Sequence, residues 1–507
     1  MSMRAINLTD RGMCVRMSMR GCSWIHSGWV PMSLAAVVAM ATLTGLFTGA
    51  STTYVLGQIV LGLSVYVSLS FLADRPLVNP IQAFVAMFYW WFGVGPAVVA
   101  TWSVLLGKFG AALDAQESGM EALWIVAPGL LLYAIVARWT LDWFSRTGIY
   151  ARFLLPAGDN YRPKLLAVFL SLVALSMAAI ALLQSMGIQG QEETSFFGGI
   201  KTSIWWVGVI AGVGSIAPLA TSALMTALAS PWRTISVVVK VLIVVVAAQT
   251  IMQALFGGWK SPIAILGASY VCAYVSRHQR PPWLIVIVGV LVFMLIITPF
   301  VGFGRHVALV AGAEDSAVRK EVFSDVLNDP EAFLSTEMES IDVSVFFRGI
   351  YPLAGELTRR NGFLDGEWHG DTIAWGFEIL VPRAFNPDKR DSNIGNFFSR
   401  TVGVDIGVSG KNDFLNNIAI SVPFEFVGNY GWGAGILSFG LIGVFWTLFV
   451  VWMLSPDRLS NHPLTPFLMI SMLAMESALG HYLAGFRDLI IPLLLCYVIY
   501  RMFGGRI

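Results

Sequence analysis

Charge is scarce in this chain. Only 12% of its 507 residues are Asp, Glu, Lys or Arg, against roughly a quarter in soluble domains. The net charge of +1 leaves no overall field that would draw nucleic acid. Cysteine is scarcer still. Cys14 and Cys22 precede the first apolar run and Cys272 and Cys496 lie inside apolar runs, so neither a disulfide framework nor a zinc-ligand spacing is present. His306 and His369 stand alone, and "WHGD" is not a zinc motif, so no metal site and no cofactor are expected. The short alternating segments of a transmembrane barrel are missing. So are the internal repeats that mark the inverted halves of many carriers. The first 30 residues are too polar for a cleavable signal peptide, and the first apolar run reads as a retained anchor.

What is present is oil. Hydrophobic residues make up 56% of the chain and fall into runs of about twenty, the length that crosses roughly 30 Å of hydrocarbon. The expectation is an all-α polytopic membrane protein with about twelve transmembrane helices. The runs cover 31–49, 54–73, 82–106, 120–139, 164–185, 203–229, 233–254, 261–276, 283–303, 430–454, 465–483 and 487–503. Four regions follow: a cytoplasmic segment 1–30, helices one to nine over 31–303, a large external loop domain 304–429, and helices ten to twelve over 430–507. Basic residues test the count. With the N-terminus cytoplasmic, sixteen Lys and Arg fall on inner segments, while the short outer loops hold Lys108, Lys201, Lys260 and Arg487. Both termini are therefore expected in the cytoplasm of a bacterial inner membrane.

The loop 304–429 has no spanning run. A connection this long is usually functional or disordered, and its Phe, Trp, Ile and Val argue for order. Within it, "ILVPRAFNPDKRDSNIGNFFSR" gathers Arg383, Lys389, Arg390 and Arg400. Arg348 and Arg305 belong to the same loop, and the topology puts Lys260, Arg305 and Arg487 at one membrane surface. Guanidinium groups grip phosphate oxygens bidentately and ammonium serves as a point charge, so such a set suits a lipid-linked diphosphate. The alternative for each is snorkelling to headgroups.

Candidate bases are Asp342, Glu356, Asp388, Asp391 and Glu425. Glu425, in "SVPFEFVGNYGWGAG", stands just before span ten, where burial would raise its pKa toward a useful value. A plain boundary charge is the other reading. Span eleven carries Glu476 at a depth that costs about 2.5–3.5 kcal/mol, with His481 near its outer end. The glycines of "VGNYGWGAGILSFGLIG" point to close helix packing. Trp368 and Trp375 suit either sugar stacking or core packing.

These residues resemble a known family. "LVPRAFNPDKRDSNIGNFFSRTVG", followed after a polar loop by "SVPFEFVGNYGWGAGILSFGLIGVFW", is similar to the C-terminal signature of bacterial oligosaccharide repeat-unit polymerases, the Wzy-type enzymes of O-antigen and exopolysaccharide assembly. The matching positions are Pro382, Arg383, Pro387, Lys389, Gly395, Asn396, Glu425, Asn429 and Gly431, with Gly433 and Gly435 displaced. The family's mid-chain Gly-Arg is replaced here by Lys260 in "GGWKSP".

The resemblance implies a GT-C-like fold and a metal-independent glycosyltransferase at the outer face of the inner membrane. It would transfer a growing glycan from one undecaprenyl diphosphate to a lipid-linked repeat unit. Arg383, Arg348, Arg305, Lys260, Lys389 and Arg487 would hold the diphosphate, and Glu425 or His481 would take the proton. Implied partners are undecaprenyl diphosphate-linked glycans, the lipid bilayer and a chain-length regulator. Competing readings are an O-antigen ligase, a lipid-linked oligosaccharide flippase, a membrane peptidase and a non-catalytic component of the assembly apparatus. No serine or cysteine sits beside an external histidine in a recognisable arrangement, which counts against the peptidase.

Overall fold

The computed structural model describes residues 29–72, 79–105, 107, 119–147, 261–278, 282–293, 368–381 and 420–453. It adds scattered positions between 178 and 251, at 297, 386 and 390, and between 468 and 483. Among the described residues the regular structure is entirely helical. The helices are α1 (Trp29–Thr48), α2 (Thr52–Phe71), α3 (Pro80–Tyr89), α4 (Gly95–Leu105), α5 (Met120–Thr147), α6 (Ser261–His278), α7 (Trp283–Val292), α8 (Asp371–Leu380), α9 (Val422–Tyr430) and α10 (Trp432–Met453).

Five stretches are long and apolar enough to cross a membrane: Pro31–Thr48, Thr52–Phe71, Pro80–Leu105, Met120–Phe144 and Trp432–Trp452. They match the expected first four spans and the tenth. Large apolar side chains such as Leu46, Phe47, Leu63 and Phe445 are exposed along these helices, as lipid-facing surfaces require. This is an all-α membrane protein. The eighth and ninth expected spans are helical as α6 and α7. The other five fall largely or wholly outside the described residues.

Starts and stops follow local chemistry. Ser51 caps α2 by accepting from the Tyr54 N–H, and Asn79 caps α3 by accepting from the Ile81 N–H with Pro80 at the first position. The expected span 82–106 is two helices joined by a π-helical turn, Trp90–Val94, closed by Gly95 N–H to Trp90 O. Helix α5 runs to Thr147 rather than 139. Its last turns turn amphipathic, with Arg138 Nε 3.0 Å from Asp142 Oδ2 and Arg138 Nη1 donating to Phe71 O at 3.3 Å.

Helices α2 and α10 both pack along α5, and α1 packs on α2 and α4. The glycines make the α5–α10 seam close. A Cβ on Gly129 would sit 2.3 Å from the Phe439 ring, and one on Gly443 would meet Tyr133 O at 3.0 Å. An aromatic ladder on α3 fills the centre. Phe84 stacks on Tyr133 at 4.2 Å, Phe88 meets Phe439 edge-on at 5.0 Å, and Phe92 stacks on Phe424 of α9 at 5.5 Å.

Polar groups in the bundle donate across helices to carbonyls. Gln58 Nε2 reaches Phe92 O at 3.0 Å, and Ser68 Oγ reaches Leu130 O at 3.0 Å. Gln82 Nε2 reaches Leu72 O at 2.8 Å, Tyr133 OH reaches Ile81 O at 2.9 Å, and Trp446 Nε1 reaches Pro80 O at 3.1 Å. In lipid no water competes for such groups, so these bonds join helices. One end of the bundle collects the starts of α2, α5 and α10: Ser51 Oγ lies 3.1 Å from Met120 Sδ, and a Cβ on Gly435 would lie 3.4 Å from Ile125. Helix α9 sits at that end.

Candidate functional site

The stretch "SVPFEFVGNYG" folds as a separate short helix because both its ends are punctuated. Ser421 is extended (φ −67, ψ 154) at the N-cap, and Pro423 lies in the first turn, where its missing N–H costs nothing. Gly431 ends α9 at φ +82, with its N–H on Val427 O at 2.8 Å. A side chain at that φ would be strained, so the break between α9 and α10 is written into the glycine.

Glu425 occupies the first turn of α9 and is completely buried. Its Oε2 accepts from the Leu479 backbone N–H at 2.6 Å. Its Oε1 has no hydrogen-bond partner among the described residues. Burial pushes the carboxyl up to about 7, while the Leu479 N–H, and secondarily the Thr372 hydroxyl beside it, favour the charged form. The Thr372 hydroxyl acts on the carboxyl from nearby and leaves Oε1 without a hydrogen bond. Asn429, one turn on, donates its Nδ2 to Thr372 Oγ1 at 2.6 Å and to Glu425 O at 2.7 Å.

Helix α8 brings Thr372 to this place. The Trp368 ring packs against Gly428, where a Cβ would sit 2.2 Å from it, and the Trp368 backbone N–H donates to Gly428 O at 3.0 Å. Gly376 approaches the backbone of Gly480, with a Cβ position 3.1 Å from its nitrogen. Gly370, at φ +91, lets the chain turn into α8 under the Tyr430 hydroxyl. Three segments distant in sequence therefore converge on one carboxyl group. A buried carboxyl near neutrality, with one oxygen anchored and the other unengaged, can accept a proton from a hydroxyl.

No family model, no curated protein and no solved structure matches this chain.

Of the residues nominated to hold the diphosphate or take the proton, Glu425 lies within the described residues. Arg383, Lys389, Arg348, Arg305, Lys260, Arg487 and His481 lie outside them, as does Glu476. The basic stretch is nonetheless fixed at one point. Arg390 donates from its backbone N–H to Glu378 Oε1 at 2.8 Å and from Nε to Oε2 at 2.9 Å. Its guanidinium also rests 5.0 Å from the Trp375 ring centroid. That clamp ties the segment beyond α8 back onto α8. Trp368 is taken up by packing on Gly428, which answers the core-or-sugar question in favour of the core.

Sequence reasoning missed Thr372, Ser421 and the clamp between Glu378 and Arg390. The spacing of Ser421, Glu425 and Asn429, each four residues from the next, was the available signal for a shared helix face.

Proposed function

We propose that this chain is a repeat-unit polymerase of the Wzy type, a polytopic protein of about twelve spans in a bacterial inner membrane with both termini cytoplasmic. The α9 end of the bundle then faces outward, with the loop domain 304–429 over it. The observation that carries the reading is Glu425: fully buried, outside the spanning helices, held by the Leu479 N–H and raised to about 7.

In the reaction, a hydroxyl of the lipid-linked acceptor repeat unit gives its proton to the free oxygen of Glu425. The hydroxyl oxygen attacks the anomeric carbon of the donor glycan, and the bond from that carbon to the diphosphate breaks. Undecaprenyl diphosphate leaves with the electron pair. Its developing charge falls to Arg383, Arg348, Arg305, Lys260, Lys389 and Arg487, the cations nominated from sequence. His481 is the alternative proton acceptor. Outside the cytoplasm there is no nucleotide sugar, so the leaving group has to arrive on the substrate. A chain-length regulator is the partner this reading predicts.

The test is the lipid-linked glycan that accumulates when the gene is removed from its native host, sized by mass spectrometry. A polymerase leaves single repeat units on the carrier. Full-length polymer stranded on the carrier would replace this reading with a ligase, and repeat units trapped at the cytoplasmic face would replace it with a flippase.

A further inference from the structure

Ser421, Glu425 and Asn429 are four residues apart, so along α9 they stack on one face with a drift of about 40° per step. Their relative exposures are 0%, 0% and 1%. Each keeps an oxygen with no hydrogen-bond partner among the described residues: Oγ, Oε1 and Oδ1. Ser421 holds the N-cap position, yet its hydroxyl makes no capping bond, although that bond is the usual reason for a serine there. Buried acceptors left empty are costly, and a native fold keeps few of them. Gln58 and Gln82 also carry one free amide oxygen each. Both belong to the spanning helices α2 and α3, where the hydroxyls of Tyr54 and Tyr89 are open as well, and each has its amide nitrogen engaged by a carbonyl. On α9 the free oxygens form a row.

The row defines the chemistry of its complement. An amide oxygen and a carboxylate oxygen only accept, and a serine hydroxyl does both. Phosphate offers more acceptors and fits badly. A ligand with several adjacent donors and no charge fits well, and neighbouring hydroxyls on a sugar ring are such a set. We infer that the face of α9 formed by Ser421, Glu425 and Asn429 is the acceptor-sugar subsite, which holds the ring whose hydroxyl is to be glycosylated. The identity of the reacting hydroxyl rests on the polymerase reading; the sugar contact does not. Glu425 is the catalytic member, and Ser421 and Asn429 bind the ring on either side of it.

In the state described, α8 covers this face. Thr372 occupies Asn429 Nδ2, and Gly376 lies against Gly480. The sugar enters as α8 withdraws, and its hydroxyls replace Thr372 at Asn429. Over the row itself the cover is glycine backbone and one hydroxyl hydrogen bond, which part more readily than the large-side-chain contacts this segment makes beside it, Trp368 on Gly428 and Ile379 on Gly480.

The experiment uses the full-length protein in lipid nanodiscs. The probe is the repeat-unit oligosaccharide released by mild acid from the host's own glycan, without lipid or phosphate. Binding is followed by saturation-transfer NMR titration and folding by the thermal midpoint, for wild type, Ser421→Ala and Asn429→Ala. Wild type is expected to bind saturably, and each variant to bind about tenfold more weakly. Ser421→Ala is expected to unfold no earlier than wild type, because the hydroxyl it removes makes no bond within the protein among the described residues. A purely structural role would move the midpoint and leave the affinity alone. Wild type that ignores the probe, or a Ser421→Ala variant that binds like wild type, overturns the subsite, and Ser421→Ala decides should Asn429→Ala fail to fold. The two readings fail separately. Single repeat units after gene removal with variant-independent binding would keep the polymerase and discard the subsite. Variant-sensitive binding with polymer length unaltered by gene removal would do the reverse.

Discussion

Two regions of this molecule bury polar groups, and they use them in opposite ways. In the bundle, Gln58, Gln82, Tyr133 and Trp446 each send a donor to a carbonyl on another helical segment. The hydrogens find acceptors, the groups are neutral, and each bond holds one helix against another. At the α9 end, Glu425 accepts a backbone N–H, and the side chains around it keep oxygens in reserve. The first arrangement commits its donors to joining helices, and the amide oxygens of Gln58 and Gln82 stay open. The second keeps three acceptors open along one helix face, is ionisable, and is covered by a ten-residue helix. Glycine serves both regions differently as well: Gly129 and Gly443 let two spans touch, whereas Gly431 detaches α9 from its span.

The sharpest way to break the contrast is Glu425→Gln. A catalytic base is expected to lose about 10²–10⁴-fold in rate, measured as sugar incorporated into lipid-linked polymer by membranes. A loss of folded protein with no change in specific activity would put Glu425 with the bundle residues instead.

The pH dependence of the same residue sharpens the contrast. The carboxyl is raised from 4.5 to about 7 in the folded protein, so across that window the folded chain holds a proton that the unfolded chain has released. Stability is therefore greatest at low pH and falls as pH rises through the window. The loss from this one group is roughly 3 kcal/mol, at about 1.4 kcal/mol per unit. Activity runs the other way, because the base works ionised, and it should climb through about pH 7. Unfolding midpoints and initial rates across pH 5–8 should show opposite slopes, and Glu425→Gln should flatten the stability slope.

In the bundle, Gly129→Leu places a side chain where the Phe439 ring already lies. The expected loss is about 1–3 kcal/mol or more, seen as a lower midpoint in detergent. Smallest is Tyr133→Phe, which leaves Ile81 O without its donor and should cost about 1 kcal/mol with no effect on glycan length. If it shortened the glycan instead, the division between a structural bundle and a working end would be wrong.

The bundle was readable because a span needs little more than length and hydropathy. The runs at 31–49, 54–73, 82–106, 120–139 and 430–454 all reappear within a few residues, apart from the longer tail of α5. The π-turn at Trp90–Val94 was not readable, since a helix with one extra residue has the same composition as one without it. Gly431 was visible as one glycine among six, and nothing in the pattern singled it out as the break. Of the site, the carboxyl could be chosen because an acid beside a span is costly to place there. Its partners could not: Leu479 lies 54 residues away and Asn429 finds Thr372 at a separation of 57. Contacts of that range come from tertiary packing and leave no periodic trace.

The turn at Trp90–Val94 also has a consequence for how this chain tolerates change. Below it, α3 faces α2, α5 and α10; above it, α4 faces α1. One added residue in a helix swings everything beyond it by about 100°, and here that swing hands the chain from one neighbour to another. Deleting any single residue from those five would remove the swing and present the wrong side of α4 to α1, whatever the residue was. The fold counts residues at this point more strictly than it reads them, so the segment should accept swaps of side chain far better than a change of length.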